Sequence, residues 1–473
     1  MKEKETKRHK DQPILKPPAK GEITKHPVYV EGARLLNPLR ITEVYACGNM
    51  LLKDAVNALN AGRDIPWADI KLIPPTRITG EKISDNHFVL LIDYPAAQFM
   101  DPQEFRKNNP NAIVVLLSSS AYIGSYPPGQ SEKDYPYVRN ADFVFYIGEG
   151  ENAPTSIIPA AIRCAEDKLN IEKYSHEKRF VFLVVDDEPR WFSQFLPVLY
   201  RIIGQRADVA IARSYEQAEE FIRERGDSIV CLISDIYIPR AGSVGPHGKE
   251  LVLCAKGSFP RIPVIIASKS AEGKELESIA LITPKGDPGS LEKLEQYVRD
   301  FTGMGDFLFY EGHELKARAA TLLELLNRIE RLPTEVLEKY AKQDLFSTWF
   351  YMHGFEKLGD TLRPRQDRGE VLRSVLVQSI YEALALAAEE KFLFHDDSDK
   401  VIASAESPKE LAKCISTLDA ETVEAYSHSD AYSTWLMRKG FVNLADDLRP
   451  LHGEGEELRK QILDIFANHG LKP

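Results

Sequence analysis

Short runs of aliphatic and β-branched residues alternate with longer amphipathic stretches over the first 300 positions of the chain. Apolar runs at 44–47, 88–92, 113–117 and 143–147 alternate with helical patterns at 50–59 and 157–169. Short buried strands separated by helices predict parallel βαβ units and a helix-covered sheet. A polar segment at 171–178 leads to a second series of the same kind, with strands at 180–185, 229–234 and 264–267 and helices near 191–203, 215–225 and 291–301. Beyond 303 the strand pattern fades and Leu, Ala and Glu at helical spacing dominate. The predicted organisation is a flexible basic tail at 1–37, α/β domains at 38–170 and 179–302, and mostly helical repeats at 303–388 and 389–473.

The helical part repeats itself. Residues 332–364 align without a gap onto 418–450, and fifteen of the 33 positions are identical. They include Tyr340/Tyr426, Ser347-Thr348-Trp349/Ser433-Thr434-Trp435, Gly354-Phe355/Gly440-Phe441 and Leu362-Arg363-Pro364/Leu448-Arg449-Pro450. Upstream, Phe307-Leu308-Phe309 matches Phe392-Leu393-Phe394 with a one-residue gap, so each copy is expected to open with a short strand or hairpin and to continue as several helices. Trp349 and Trp435 read as core anchors of the two modules. His353 faces Lys439 in the alignment, which argues against a phosphotransfer histidine.

Composition narrows the class. At 473 residues the chain has room for about three domains. Its 43% hydrophobic and 28% charged residues suit a folded globular protein, and its longest apolar runs fall far short of the roughly 18 residues of a membrane span. The N-terminus carries no apolar stretch of a signal peptide. A net charge of −11 argues against nonspecific nucleic-acid binding. Five scattered cysteines, Cys47, Cys164, Cys231, Cys254 and Cys414, form no CxxC pair and predict reduced thiols in the cytoplasm.

The second α/β domain carries the chemistry. Asp186-Asp187-Glu188 follows its first apolar strand, Asp235 follows the next, Ser268 ends another, and Lys285 follows Leu281-Ile282-Thr283-Pro284. In a parallel sheet all these strand ends lie on one carboxyl edge. Three clustered carboxylates repel one another unless a cation neutralises them, and oxygen-only ligation points to Mg2+. An Asp beside a metal, a Lys and a hydroxyl can accept a phosphoryl group. The plainer alternative, solvated carboxylates at the starts of loops, would suit any one of them taken singly.

These motifs, in this order, resemble the receiver domain of two-component response regulators over residues 179–302. The resemblance implies a flavodoxin-like, doubly wound, five-stranded parallel sheet. It also implies Asp235 as phosphoacceptor, Asp186, Asp187, Asp235 and the Tyr237 backbone carbonyl around Mg2+, and Ser268 and Lys285 on the phosphoryl group. It departs from the family pattern at Ile282, where a switching aromatic is usual, at Gly286, where proline is usual, and in a longer loop at 240–247. Residues 38–170 resemble a degenerate receiver: Asp93 and Ser118 match, but Cys47-Gly48 replace the acidic pair and Ile147-Gly148 replace the lysine. The tandem helical module is similar to one that accompanies receivers in phosphoenolpyruvate-synthase-like fusions.

The expectation is therefore a non-enzymatic response regulator. A histidine kinase would phosphorylate it, the helical repeats would signal to a downstream protein, and no nucleic acid or membrane would be engaged; a homodimer is compatible. A constitutive scaffold with silent receivers and an Asp/Mg2+-dependent phosphatase are the alternatives.

Overall fold

The computed structural model describes residues 41–473 apart from 63–64, 66–67, 101, 121–122, 124–137, 139–140, 149–152, 174–179, 205, 260–261, 270–272, 287–288, 312–313, 363–366, 397, 399, 429–430, 449–450, 452 and 473. The basic tail expected at 1–37 lies outside the described residues, as do Arg363-Pro364 and Arg449-Pro450.

The first unit runs β1 (Val44–Cys47), α1 (Met50–Gly62), β2 (Ile70–Leu72), β3 (Phe88–Asp93), α2 (Tyr94–Ala97), α3 (Pro102–Asn108), β4 (Ala112–Ser118), β5 (Phe143–Tyr146) and α4 (Ala153–Lys173). Its strands form one parallel sheet in the order β2-β1-β3-β4-β5. The second unit runs β6 (Val181–Val185), α5 (Pro189–Ile203), β7 (Asp208–Ala212), α6 (Tyr215–Arg225), β8 (Ile229–Ser234), the hairpin β9 (Ile238–Arg240) and β10 (Ser243–Gly245), α7 (His247–Ser258), β11 (Val264–Ser268), β12 (Leu281–Pro284) and α8 (Ser290–Thr302). Its parallel sheet is ordered β7-β6-β8-β11-β12, the same topology over again. The central strands β3 and β8 are buried at every position, which is why they read as unbroken apolar runs. The chain is thus an α/β protein with two doubly wound parallel five-stranded sheets and a helical C-terminal region.

The polar segment between the units begins as helix, since residues 171–173 close α4. That helix is buried all round through its middle, because both units pack on it: one apolar core joins Val44, Leu91 and Phe145 to Ile158 and Ile162 of α4 and to Phe182, Phe192 and Leu196. Such enclosure also buries charge. Arg163 pairs with Asp167 (2.9 Å) and donates to the Ala207 carbonyl (3.1 Å), while the Tyr200 hydroxyl and the Val209 amide donate to Asp167 (both 2.8 Å).

The C-terminal region repeats as the sequence does. The first copy has β13 (Phe307–Glu311), β14 (Glu314–Ala319), α9 (Leu322–Ile329), α10 (Thr334–Lys342), α11 (Leu345–Met352), α12 (Glu356–Leu362) and α13 (Gly369–Glu389). The second has β15 (Phe392–His395), β16 (Val401–Ala405), α14 (Pro408–Thr417), α15 (Ala420–His428), α16 (Ala431–Arg438), α17 (Val442–Leu448) and α18 (Gly455–Asn468). Both hairpins are antiparallel. Matching side chains do matching work: Trp349 and Trp435 donate to the Gly305 and Glu390 carbonyls, and the Tyr340 and Tyr426 hydroxyls accept from the Tyr310 and His395 amides. Gly354 and Gly440 take φ of 78° and 86°, ending α11 and α16 in the left-handed turn that favours glycine. His353 is buried, with Nδ1 against the Trp349 carbonyl (2.8 Å).

By length and composition α13 could cross a membrane, although polar residues interrupt its apolar runs. Here Leu372, Leu376 and Ile380 pack it into the core of the first repeat.

Candidate functional site

The backbone ladder sets the site. Val185 pairs with Ser234, and Ser268 pairs with Pro284, so β6, β8, β11 and β12 end together at the carboxyl edge. The next amides extend the ladder: Asp186 donates to Ala212 (3.0 Å), Asp235 to Val185 (2.9 Å) and Lys285 to Ser268 (2.9 Å). Three apolar runs far apart in sequence thereby deliver Asp186, Asp235 and Lys285 to one place. Gly248, at the start of α7, lets that helix approach, because a Cβ there would stand 1.9 Å from the Asp235 carbonyl oxygen.

Lys285 Nζ lies between two carboxylates, 2.5 Å from Asp186 Oδ2 and 2.5 Å from Asp235 Oδ2. Asp235 Oδ1 accepts from the amides of Ile236 (2.6 Å) and Tyr237 (3.3 Å), and Asp186 Oδ1 from that of Glu188 (3.0 Å). Burial works against the Lys285 charge, but Asp186 and Asp235 outweigh it and hold the ammonium above its ordinary pKa. Burial, helped by Asp235 and opposed by Lys285, pushes Asp186 up to about 6. Burial and then Asp186 push Asp187 up to about 7. One ammonium therefore faces three buried carboxylates. Ser268, only 1% exposed, has a hydroxyl with no hydrogen-bond partner among the described residues.

All the side chains singled out in the second unit thus meet at one edge, but the balance of charge differs from the expectation of a metal-centred trio. Among the described residues, no group of three or more His, Cys, Asp or Glu is arranged as a ready metal cage. Lys285 takes one oxygen each of Asp186 and Asp235, which leaves Asp187 and the other oxygen of Asp186, Oδ1, as the oxygen donors. Mg2+ commonly takes one or two carboxylates and completes its shell with water and phosphate oxygens, so this donor set fits it. Ile282 and Gly286 stand as the sequence has them; Gly286 has φ of 83° and runs past the ring of Trp191.

Trp191 and Lys269 were not singled out from the sequence, and Glu188 was named only as part of the acidic run after the first strand. The Trp191 indole N–H donates to Glu188 (2.5 Å), and Lys269 Nζ lies 2.7 Å from the same carboxylate. The available signal was Trp191 five residues after Asp186, on the first turn of α5, at the same sheet edge. The expected long loop at 240–247 is the β9–β10 hairpin, with Arg240 over the Tyr215 ring and paired to Glu250.

The equivalent edge of the first sheet is differently occupied. Asp93 ends β3 as an N-cap, accepting from Ala96 (2.8 Å) and Asn49 (2.6 Å). A Cβ on Gly48 would stand 2.7 Å from its carboxylate. Burial, and then the Asp93 charge, push the Cys47 thiol up to about 11. The Ser118 hydroxyl is bonded locally to Ser120.

No family model matches the chain, and no curated protein matches it. Similar solved structures include one described as a sugar-binding protein from Salmonella typhimurium LT2 (12% identity, TM-score 0.19, 55% of this chain and 85% of that one). Others are the C-terminal domain of glucosamine-fructose-6-phosphate aminotransferase from Francisella tularensis (9%, 0.20, 56% and 85%) and one described as a phosphosugar isomerase from Silicibacter pomeroyi DSS-3 (9%, 0.18, 54% and 84%). The lack of any family match overturns the receiver assignment, and with it the phosphorelay function and signalling role of Asp235. The physical reason is that any doubly wound parallel sheet gathers polar residues at its carboxyl edge, so polar strand ends in the right order mark the sheet rather than the family. With TM-scores this low, the neighbours lend the chain no activity of their own.

Proposed function

We propose that the carboxyl edge of the second sheet binds a phosphate group, held by Ser268 and Lys285 with Mg2+ at Asp186 and Asp187. The observation that carries this reading is the Ser268 hydroxyl. A buried hydroxyl without a partner is costly, and a ligand oxygen at this position would relieve that cost beside an ammonium and a cation site. When bound, Mg2+ would supply the positive charge that one lysine cannot. Lys285 orients the anion, and Asp235, whose oxygens already accept from Lys285 and two amides, holds Lys285 in place. The reading is one of binding without turnover.

A contact between the helical repeats and another protein, and a cytoplasmic location, belong to the same proposal. The five free cysteines support a reducing compartment. A histidine kinase as partner has no separate support once the receiver assignment falls.

Calorimetric titration with inorganic phosphate and Mg2+ tests the site. Saturable binding is expected, weakened about tenfold or more by Ser268→Ala, which removes one hydrogen bond to a charged group. Absence of saturable binding to the wild-type chain, or full binding by the variant, would refute it.

A further inference from the structure

Next to the carboxylates, between α5 and α8, lies a cavity of about 290 Å³. Trp191, Phe195, Leu291 and Leu294 make its apolar wall, while Thr283 and Lys285 close the end nearest the sheet. This is close to the lower limit, about 300 Å³, of small-molecule sites. Its wall is held rigidly: the Trp191 indole is tied to Glu188, and Glu188 is tied to Lys269. Cations surround the same ring, with Lys269 and Arg190 at 5.2 Å and Lys285 at 5.7 Å from its centre. Lys269 and Lys285 are already paired with carboxylates, so the flat apolar surface carries the cavity's selectivity and suits a ligand that is planar and apolar at one end, with its anionic end at Lys285 and the cation site.

We propose that this cavity seats the planar body of a phosphate monoester whose phosphate lies at Ser268 and Lys285, making the ligand an aryl phosphate in chemical class. The inference rests on the phosphate site proposed above and adds the identity of the group the phosphate carries. Inorganic phosphate would use only the sheet end and leave the apolar wall wet. A hexose phosphate would find Gln194, Thr283 and Ser290 at the margins of the cavity but would also bring hydroxyl groups against Trp191, Phe195, Leu291 and Leu294, which offer them no free side-chain partner. A planar ring covers Trp191 and removes apolar surface from water.

The experiment is calorimetric titration of the full chain, with Mg2+, against inorganic phosphate, phenyl phosphate and glucose 6-phosphate. Phenyl phosphate should bind about tenfold or more tightly than inorganic phosphate, and glucose 6-phosphate should show no such gain. Trp191→Ala should bring the phenyl-to-inorganic ratio back near one, and Trp191→Phe, which keeps an aromatic wall, should retain most of it. A ratio near one in the wild type, a gain that survives Trp191→Ala, or an equal gain for glucose 6-phosphate overturns the inference while leaving the phosphate site standing. Failure of all three ligands to bind overturns the phosphate site itself, and this inference with it.

Discussion

The two sheets share one strand order and each carries an aspartate at the end of its central strand, Asp93 as the last residue of β3 and Asp235 just after β8, yet the two aspartates do different work. Asp93 is satisfied by two backbone amides, and the chain around it is closed by Gly48. Asp235 shares a lysine with Asp186, lies at the same edge as Asp187, and belongs to a site whose Ser268 hydroxyl is unmatched among the described residues. The same topology therefore produces a structural cap in one unit and an unfinished polar site in the other. An aspartate at a strand end says little by itself. What distinguishes the two is whether its neighbours complete its hydrogen bonds or leave charge and donors over.

That contrast can be broken in three ways, the largest effect first. Lys285→Ala should leave Asp186 and Asp235 buried without a counter-charge and cost about 3–5 kcal/mol of stability, read from urea unfolding. A loss below about 1 kcal/mol would mean that the carboxylates are hydrated and the site is not the enclosed cluster described. Asp93→Ala should cost only about 0.5–2 kcal/mol, the usual worth of an N-cap, in the same assay. If it matched Lys285→Ala, the two edges would be alike after all.

The third effect has the opposite sign. Asp187 titrates near 7 in the folded chain and near 4 when unfolded, so folding favours its protonated form. Stability is then lost as pH rises from about 4 through about 7. Asp187→Asn should raise the melting temperature by about 2–4 °C at pH 8, an effect of roughly 1 kcal/mol, and the gain should shrink towards pH 5. Thermal unfolding across that range checks it. A variant less stable than the wild type at pH 8 would show that the Asp187 charge is already compensated.

Much of the fold was legible because its signals are local. The buried strands β3, β4, β6, β8 and β11 announced themselves as apolar runs, and the alignment of residues 332–364 with 418–450 foretold paired modules with the same indole and tyrosine anchors. The shorter strands β2 and β7 did not stand out. Three to five residues at or near a sheet edge carry too little apolar pattern, and their partners lie elsewhere in the chain. The Arg163–Asp167–Tyr200 cluster was likewise hidden, because Arg163 and Asp167 look along α4 like one polar stripe of an amphipathic helix and Tyr200 comes from α5. The family reading went astray for a related reason. It rested on which polar residues end which strands, and a doubly wound sheet supplies such residues at its carboxyl edge in proteins of many functions.

By itself the sequence determined the succession of strands and helices, the internal repeat, and the set Asp186, Asp187, Asp235, Ser268 and Lys285 at strand ends, since each depends on residues adjacent or regularly spaced along the chain. Only the tertiary structure decided that Lys285 sits between Asp186 and Asp235, that Ser268 lacks a partner among the described residues, that Trp191 walls a cavity beside them, and that α4 is enclosed by both units. Those facts turn on Coulomb interactions and burial, which depend on distances between elements up to about a hundred residues apart in the chain, and no local pattern encodes such distances.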